Sequence, residues 1–379
     1  DDRRNPLNDK NKEDYINMKK QEYIYRCMQK YVKRAAAVFM IGCMVTGLAT
    51  GCSTNGKSKG SQASLLKEQT REVFAMDTYM ILKAYGKNAG KALDASVKEI
   101  ERIENLVSTG KKTSEIARIN QNGSGKVSED TMKLILRSRE LYEDTDGAFD
   151  ITVYPVMEAW GFTTEKYRIP GKTELQKLLV NMDADKIICD EKKGTVKLDQ
   201  KGMKIDLGGI AKGYTSGRVM EIMKKYGVKN AVISLGGNVQ TLNSKPDGSA
   251  WQIAVEDPQD KSSYIGVLSL RNQAAITSGG YERYFEKNGK KYHHIIDPKT
   301  GYPSENGLSS VTIVSKDGTL ADGLSTSLFI MGRKKATTYW KKHTQAFDTV
   351  MVEDDGTIWV TEGIADVFSG DSGFKVIHK

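Results

Sequence analysis

Apolar residues recur at helical spacing in two stretches of the N-terminal half of the chain. The first set comprises Leu93, Val97, Ile100, Ile103 and Val107. Steps of three or four residues place such a set on one face of a helix, which then packs against the core. A second helix is predicted around Leu134 and Leu141, ending near Gly147.

Four later segments instead alternate apolar and polar residues, and Gly, Asn, Asp or Pro bounds each of them. They are residues 196–198, 231–235, 251–255 and 310–314. Alternation with a period of two is typical of strands with one buried face. One helix is predicted between the first two segments, over about 210–226, and another after the last segment, over about 322–330. Helices mixed irregularly with short strands predict an α+β fold with a single large domain.

The N-terminal region predicts export. A short apolar run, residues 35–51, follows Lys33 and Arg34 and ends in small residues before Cys52, as in a secretion signal. Residues 48–52 resemble a bacterial lipobox, in which the cysteine carries the lipid. An uncut anchoring helix is the alternative, and in either case the rest of the chain faces outward.

These patterns divide the chain into three parts. Residues 1–51 are an N-terminal extension and lipoprotein signal peptide, in which the charged segment 1–17 precedes a plausible true start at Met18. Residues 52–70 comprise the lipidated cysteine and a Gly/Ser/Lys-rich flexible tether. Residues 71–379 form the catalytic domain.

Charge and cysteine content exclude several classes of function. The chain has 57 Lys/Arg and 48 Asp/Glu, but residues 1–51 hold 10 and 6 of these, so a net charge of only +5 remains. No dense basic stripe with interleaved aromatic residues appears, which disfavours nucleic-acid binding. Beyond Cys52, only Cys189 remains, and this excludes a disulfide framework and a cysteine-based zinc site.

A glycine-containing junction at residues 206–214 carries the first chemical signal. Asp206 and the pair Gly208 and Gly209 precede Lys212 where a helix is predicted to begin. Glycines allow close approach of a pyrophosphate, a helix start favours anions, and lysine adds positive charge. The alternative is a tight turn with Lys212 in solvent.

Further ordered blocks accompany this junction. They read Met-Asp-Thr at 76–78, Gly-Ala-Phe-Asp-Ile-Thr-Val at 147–153, Thr-Ser-Gly-Gly-Tyr at 277–281, Tyr-His-His-Ile-Ile-Asp-Pro-Lys-Thr-Gly-Tyr-Pro at 292–303 and Ala-Asp-Gly-Leu-Ser-Thr at 321–326. Together they resemble the flavin transferases of the ApbE family, from about residue 73 to beyond 332. The resemblance implies an antiparallel-rich β-sheet core packed by helices.

The resemblance also implies which residues contact FAD. They are Met76, Ala148, Phe149, Asp150, Asp206, Lys212 and Ile296. The alternative for the apolar residues is packing in the core, and the alternative for the two aspartates is the capping of turns.

Asp322 and Thr326 point to a metal. They are four residues apart in a predicted helix, so their oxygens lie on one face and can reach one cation. Mg²⁺ suits such hard oxygen ligands. The resemblance adds main-chain carbonyl oxygens of Gly209 and Ser325 to the ligands. The alternative is that Asp322 caps a helix and Thr326 bonds back to its preceding turn.

His294 is the candidate general base. A neutral imidazole can accept a hydroxyl proton near physiological pH, and the resemblance places this histidine at the flavin site. Its neighbour His293 points to the opposite face of a strand and is the bystander of the pair. A hydrogen-bonded structural role is the alternative for His294.

One block departs from the family pattern. Ser108 and Thr109 are followed by Gly110, where the family often carries an aromatic residue. Loss of that ring removes a group that could stack on the isoalloxazine, and Tyr281 is a candidate to replace it.

The expected activity is Mg²⁺-dependent transfer of FMN from FAD to a Thr or Ser hydroxyl of an exported acceptor, releasing AMP. His294, Asp322 and Lys212 are the predicted catalytic residues. Acceptors implied by the resemblance are flavin-bearing subunits of membrane redox complexes, such as the sodium-pumping NADH:quinone reductase or its Rnf relatives, or extracellular flavoproteins. The expected location is the outer face of the bacterial cytoplasmic membrane, through the lipid anchor.

Two alternatives stay open. The first is an FAD pyrophosphatase, in which water replaces the acceptor hydroxyl and free FMN and AMP are released. The second is a non-catalytic FAD-binding surface lipoprotein, which has no need of Asp322 and Thr326.

Overall fold

The computed structural model describes residues 66–379. The predicted signal peptide, the lipid site at Cys52 and most of the predicted tether lie outside these residues. The first strand begins at Glu68, slightly before the predicted start of the domain at residue 71. Within the described part of the chain, no helix combines the length and the apolar character needed to cross a bilayer.

A nine-stranded, mostly antiparallel sheet forms the centre of the fold, which confirms the predicted α+β class. In spatial order its strands are β1 (Glu68–Ala75), β2 (Thr78–Tyr85), β6 (Asn230–Leu235), β7 (Asn238–Leu242), β10 (Ala274–Gly279), β13 (Leu308–Ser315), β14 (Asp348–Glu353), β15 (Ile358–Thr361) and β17 (Lys375–Ile377). Only the last pair, β15 and β17, is parallel.

The two faces of this sheet are covered differently because side chains alternate along each strand. On β6, Ile233 packs with the helices α1 (Ala89–Val107) and α6 (Ala211–Lys225). Its neighbour Val232 packs on the opposite face against β8 (Trp251–Glu256) and β9 (Tyr264–Leu270). With β16 (Phe368–Ser369), these two strands form a small second sheet.

The remaining α-helices and strands lie around this centre. They are α2 (Glu115–Asn122), β3 (Ser124–Lys126), α3 (Glu129–Asp144), α4 (Tyr154–Trp160), α5 (Lys172–Leu179), β4 (Ile187–Asp190), β5 (Thr195–Leu198), β11 (Tyr284–Lys287), β12 (Lys290–His293), α7 (Gly318–Lys342) and α8 (Glu362–Ala365). Strands β3, β5 and β4 form a third sheet, and β11 and β12 form an isolated hairpin.

The predicted helices and strands are present, with one difference in α7. This helix begins four residues before Asp322, because Asp317 caps it by accepting hydrogen bonds from the main-chain N–H groups of Thr319 and Leu320. It is interrupted at Gly332, where φ is 73°. Asp322 therefore lies inside the helix and is not its cap.

One end of the large sheet collects several tight turns. Met76 and Asp77 join β1 to β2, and Gly236 and Gly237 join β6 to β7. Antiparallel pairing brings the end of β10 and the start of β13 to the same end, with Gly279 opposite Ser310. The N-terminal halves of α6 and α7 pack over the sheet, and their residues join this end in forming the candidate site.

Candidate active site

The helices α6 and α7 touch through glycine at the core of the site. A Cβ atom added to Gly213 would lie 2.1 Å from the carbonyl oxygen of Gly318 and 2.6 Å from Cβ of Asp322. Only glycine allows so close an approach of two helix backbones. The contact places the first turn of α6 directly against the side chain of Asp322.

Asp322 is a buried carboxylate, only 5% exposed. Its Oδ2 accepts a hydrogen bond of 2.7 Å from the Gly213 main-chain N–H, and its Oδ1 accepts one of 2.9 Å from Asn238 Nδ2. Burial raises the pKa of Asp322, and the positive charge of Lys212 and these hydrogen bonds oppose that rise. Asp322 does act as a helix cap, but it caps the N-terminal turn of α6 rather than its own helix, as the capping alternative had expected.

This arrangement corrects one expectation about the helix start. The Gly213 N–H, which the sequence offers to a phosphate, is taken by Asp322. Anion binding at this point therefore depends on the side chain of Lys212 and on the helix dipole. Lys212 is half-buried, and its charge acts on both Asp322 and His294.

Ser325 and Thr326 meet the end of β10 through Ser278. The Ser278 hydroxyl lies 2.8 Å from Ser325 Oγ and 3.2 Å from Thr326 Oγ1, and Ser325 Oγ also donates to the Asp322 carbonyl oxygen. Thr326 shows no bond back to its preceding turn, so its hydroxyl stays directed at the strand. Gly209 lies close to Phe149, because a Cβ atom added to it would lie 3.1 Å from Cε2 of the Phe149 ring.

These oxygens fit a hard divalent cation. The described residues contain no cluster of three or more His, Cys, Asp or Glu side chains that could hold a metal. A metal at Asp322 would therefore take one carboxylate, a hydroxyl and main-chain carbonyls, with the rest of its shell from water or phosphate, which is how Mg²⁺ is commonly held. A buried carboxylate with one cationic neighbour also gains from such a charge.

Asp206 and Asp150 each support a turn with one oxygen. Asp206 Oδ1 accepts a hydrogen bond of 2.6 Å from Gly208 N–H, and Asp150 Oδ1 accepts from both the N–H and the hydroxyl of Thr152. Burial raises the pKa of both carboxyls. The positive charge of Arg283 opposes this rise at Asp206, and Asp77 adds to it. Turn capping occupies only Oδ1 in each case.

The apolar residues predicted to contact flavin are mainly packed. Phe149 is 3% exposed, Ile296 is 4% exposed, and Ala148, which precedes Phe149 in sequence, is also buried. Met76 is half-buried and has a φ of 50°, while Asp77 has a φ of 56°. Two successive non-glycine residues with positive φ are uncommon and cost free energy. A hydrogen bond of 2.9 Å from Met76 N–H to Glu104 Oε1 holds this turn.

His294 is held by one carbonyl oxygen. Its main-chain N–H donates to the Arg283 carbonyl at 3.0 Å, and its Nδ1 lies 3.1 Å from the same oxygen. Nδ1 must carry the proton there, so Nε2 keeps a free lone pair. Burial, together with the charges of Arg283 and Lys212, lowers the pKa of His294 to about 3. The ring is neutral at physiological pH.

His293 points away from this site. Its Nε2 lies 3.0 Å from the Ser304 carbonyl oxygen, and its Nδ1 accepts from the Ile295 N–H at 3.2 Å. Its ring meets Phe329 edge-on, with 5.5 Å between centroids. Both nitrogens of His293 are therefore used in structural contacts.

Gly110 lies in a loop that borders the Met76 turn. Glu104 joins the two, because it accepts hydrogen bonds from both Met76 N–H and Lys111 Nζ. The ring of Tyr281 is only 6% exposed and lies against Gly279. The Tyr281 ring is thus packed in this structure, and its role as a replacement for the missing aromatic stays a prediction.

Comparison with known proteins identifies the family to which this chain belongs. The sequence profile of the ApbE family matches residues 76–351. The chain belongs to the ApbE family. An FAD:protein FMN transferase of Klebsiella pneumoniae is 34% identical over 309 residues, covering 80% of this chain and 95% of that protein. The corresponding protein of Haemophilus influenzae is 33% identical, covering 73% and 82%.

Solved ApbE structures have the same fold. The ApbE protein of Thermotoga maritima aligns with a TM-score of 0.74 at 34% identity, covering 79% of this chain and 99% of that one. The flavin transferase ApbE of Vibrio cholerae aligns with a TM-score of 0.72 at 26% identity, covering 80% and 99%. The predicted family and its antiparallel-rich fold are both confirmed.

The structure adds Arg283 to this ApbE site, and the sequence analysis does not predict that residue there. The charge of Arg283 acts on both Asp206 and His294, and its Nη2 donates to the Phe162 carbonyl oxygen. Its only sequence signal is its place just after the block 277–281. Contact between elements distant in the chain, rather than a motif, brings Arg283 into the site.

Proposed function

We propose that this chain is a Mg²⁺-dependent FAD:protein FMN transferase that attaches FMN to a Thr or Ser hydroxyl of an exported acceptor and releases AMP. The observation that carries the proposal is the meeting of Asp322, Lys212 and His294 at one end of the sheet. Lys212 acts electrostatically on both other residues. Membership of the ApbE family and the activity of its curated relatives support the same conclusion.

The transfer is a displacement at the phosphorus of the FMN half of FAD. The acceptor hydroxyl gives its proton to Nε2 of His294, and its oxygen forms a bond to that phosphorus. The pyrophosphate bond breaks, and AMP leaves with the bridging oxygen. Lys212 offsets the negative charge that accumulates on the phosphoryl oxygens.

Asp322 and Thr326, with carbonyl oxygens of Gly209 and Ser325, are the residues that would hold Mg²⁺. A bound Mg²⁺ neutralises pyrophosphate charge and polarises the phosphoryl group. The chain itself contributes a rigid support for these oxygens, because Asn238 and Gly213 fix both oxygens of the carboxylate.

Binding of the substrate would also prepare His294. A pKa of about 3 is too low for an efficient base near neutral pH. Burial holds this pKa down most, and the charges of Arg283 and Lys212 add to the effect. The negative pyrophosphate would offset the contribution of the two charges. His294 would then become more basic when FAD is in place.

The test combines the protein with FAD, Mg²⁺ and the flavin-bearing subunit of a sodium-pumping NADH:quinone reductase. The expected result is an FMN adduct on the acceptor by mass spectrometry, in equal amount with AMP, and none after chelation of the metal. Free FMN and AMP without an adduct would establish a pyrophosphatase instead. Intact FAD would establish a binding protein without turnover.

The proposed place of action is the outer face of the cytoplasmic membrane. The apolar run before Cys52, together with the Gly/Ser/Lys-rich residues after it, supports a lipid anchor with a flexible tether. Such an anchor would keep the enzyme near membrane redox complexes or extracellular flavoproteins. Replacement of Cys52 by Ala should release the enzyme from membrane fractions, and unchanged fractionation would contradict the lipid anchor.

A further inference from the structure

A cleft of about 350 Å³ lies beside the active site and is not used by the proposed mechanism. One wall is β12, through Lys291 and His293. The opposite wall is the segment 304–309, and Gly280 lies at one end. None of the residues predicted to contact FAD lines this cleft.

The hairpin of β11 and β12 leaves one of its edges unpaired at the cleft. Asn288 and Gly289 have φ of 54° and 73° and form a two-residue turn. The hydrogen bond from His294 N–H to the Arg283 carbonyl fixes the register. Alternation then makes the pair Glu286 and Lys291 a non-hydrogen-bonded one, so their main-chain N–H and C=O groups point outward.

The outer edge of β12, rather than a face of the hairpin, borders the cleft. Lys291 and His293 line it, whereas their cross-strand neighbours Glu286 and Tyr284 do not. Within residues 66–379, no main-chain hydrogen bond engages the outward groups of Lys291 and His293. These groups form an open strand edge that faces the cleft.

The chain itself shows how this edge is paired. Just beyond β12, Ser304 N–H donates to the Ile295 carbonyl and Asp297 N–H donates to the Tyr302 carbonyl, both on the same outer edge. After Ser304 the chain separates from β12, and the cleft begins there. Residues 302–304 thus pair with the outer edge at residues 295–297. The cleft lies in line with them along the same edge, beside β12.

Three elements connect this cleft directly to the active site. Gly280 directly follows the end of β10 and is two residues from Ser278. His293 in the cleft is adjacent to His294 in the site. On α7, Phe329 lines the cleft one helical turn after Thr326. A segment in the cleft would thus lie next to the groups that act on its hydroxyl.

We propose that an extended segment of the acceptor protein binds in this cleft by adding a strand to the outer edge of β12. This inference rests on the proposed function, because it assigns the docking place of that reaction's second substrate. Main-chain hydrogen bonds would supply affinity, and the buried side chains of Leu308 and Phe329 supply an apolar floor. The flavin side of the site stays free for FAD.

Proline at Lys291 tests the edge. Lys291→Pro removes an outward N–H without removing a bond of the hairpin ladder. It should raise KM for the acceptor about five- to tenfold, the effect of losing one hydrogen bond, while Kd for FAD changes less than twofold. Glu286→Pro is the matched control on the opposite edge of the same pair, and it should leave both constants unchanged. Lys291→Ala keeps the N–H and should raise KM less than Lys291→Pro does.

A second variant approaches from the other wall. Ser309→Tyr fills the cleft without changing any residue of the hairpin and should raise KM for the acceptor tenfold or more. Thermal unfolding of each variant shows whether it is folded. If the wild type forms the FMN adduct and the folded Lys291→Pro and Ser309→Tyr variants keep its KM, the docking proposal is wrong. If the wild type forms no adduct, the transferase proposal itself fails, which is a separate outcome.

Discussion

The two halves of the candidate site differ in how firmly the fold holds them. Asp322 lies in the junction of α6 and α7, where glycine contact and two hydrogen bonds to the carboxylate leave it 5% exposed. His294 lies instead at the base of a two-stranded hairpin outside the main sheets, held by one carbonyl oxygen. Under the proposed function, charge stabilisation would therefore take place in the core of the fold and proton transfer at its periphery.

The difference suggests a division of labour. A buried, fixed carboxylate can bind a cation without reorganising, which is what charge stabilisation at a phosphoryl group requires. A base that must meet a second protein substrate needs access, which a peripheral hairpin provides. Substitutions in the junction should therefore affect FAD and metal binding, whereas substitutions at the hairpin should spare them.

The largest effect is expected for Asp322→Ala. Loss of the carboxylate should lower the rate of FMN transfer about 10³-fold and abolish stimulation by Mg²⁺. Adduct mass and titration calorimetry of Mg²⁺ with FAD would measure both. Asp317→Ala on the same helix is the matched control, since it removes a cap and one exposed contact of 3.8 Å with Arg137 Nη2, and it should cost about 1 kcal/mol of stability with activity kept. If Asp317→Ala lost as much activity as Asp322→Ala, the loss could not be assigned to the Asp322 carboxylate.

His294→Gln should lower the rate constant of transfer about 10²-fold, because the proton acceptor is lost. The Kd for FAD should stay within a few-fold of wild type, in contrast to Asp322→Ala. His293→Gln is the companion variant, and it should lower the melting temperature more than the rate, since both of its ring nitrogens have structural partners. Equal rate losses in the two histidine variants would contradict the assignment of the base.

Gly213→Ala tests the rigidity of the junction. The added Cβ would overlap the Gly318 carbonyl at 2.1 Å, so we expect a loss of about 1–3 kcal/mol in unfolding free energy and weaker Mg²⁺ binding. Gly217 lies one turn later on the same helix, and nothing lies within 4 Å of its added Cβ. Gly217→Ala should therefore be neutral or stabilise by up to about 1 kcal/mol. Chemical denaturation measures both.

Arg283→Gln should give the smallest effect, a shift of the pH profile. The charge of Arg283 lowers the pKa of His294, so its removal raises that pKa. His294 then becomes protonated, and inactive as a base, at a higher pH. The acidic limb of the transfer rate should move to higher pH, while Arg283→Lys, which keeps the charge, should leave it in place. A shift to lower pH would contradict this electrostatic coupling.

The core of this fold could be predicted because its signals are local. Helical spacing around Ile100 and alternation around Ile233 mark α1 and β6, and both side chains are fully buried. Ordered motifs likewise indicated the family and the region of the site. Burial of an apolar stripe depends mainly on the sequence near it, so these elements follow from short segments.

Other features arise only when distant segments meet. Asp322 caps a helix that lies 109 residues earlier, and no local pattern shows this. The turn at Met76 and Asp77 lacks the usual glycine or asparagine and is held by Glu104 on another element. The hairpin of β11 and β12 is different, because Asn288 and Gly289 form a recognised turn signal. What the turn signal does not show is that His294 lies at the base of this hairpin.

The oxygen that orients His294 belongs to the main chain of residue 283, not to its side chain. Mutation of residue 283 can therefore retune the acidity of the imidazole while its direction and tautomer persist. The orientation of the His294 ring and its pKa can thus be changed independently of each other at residue 283. An engineer could use it to move the working pH of the enzyme without rebuilding its active centre.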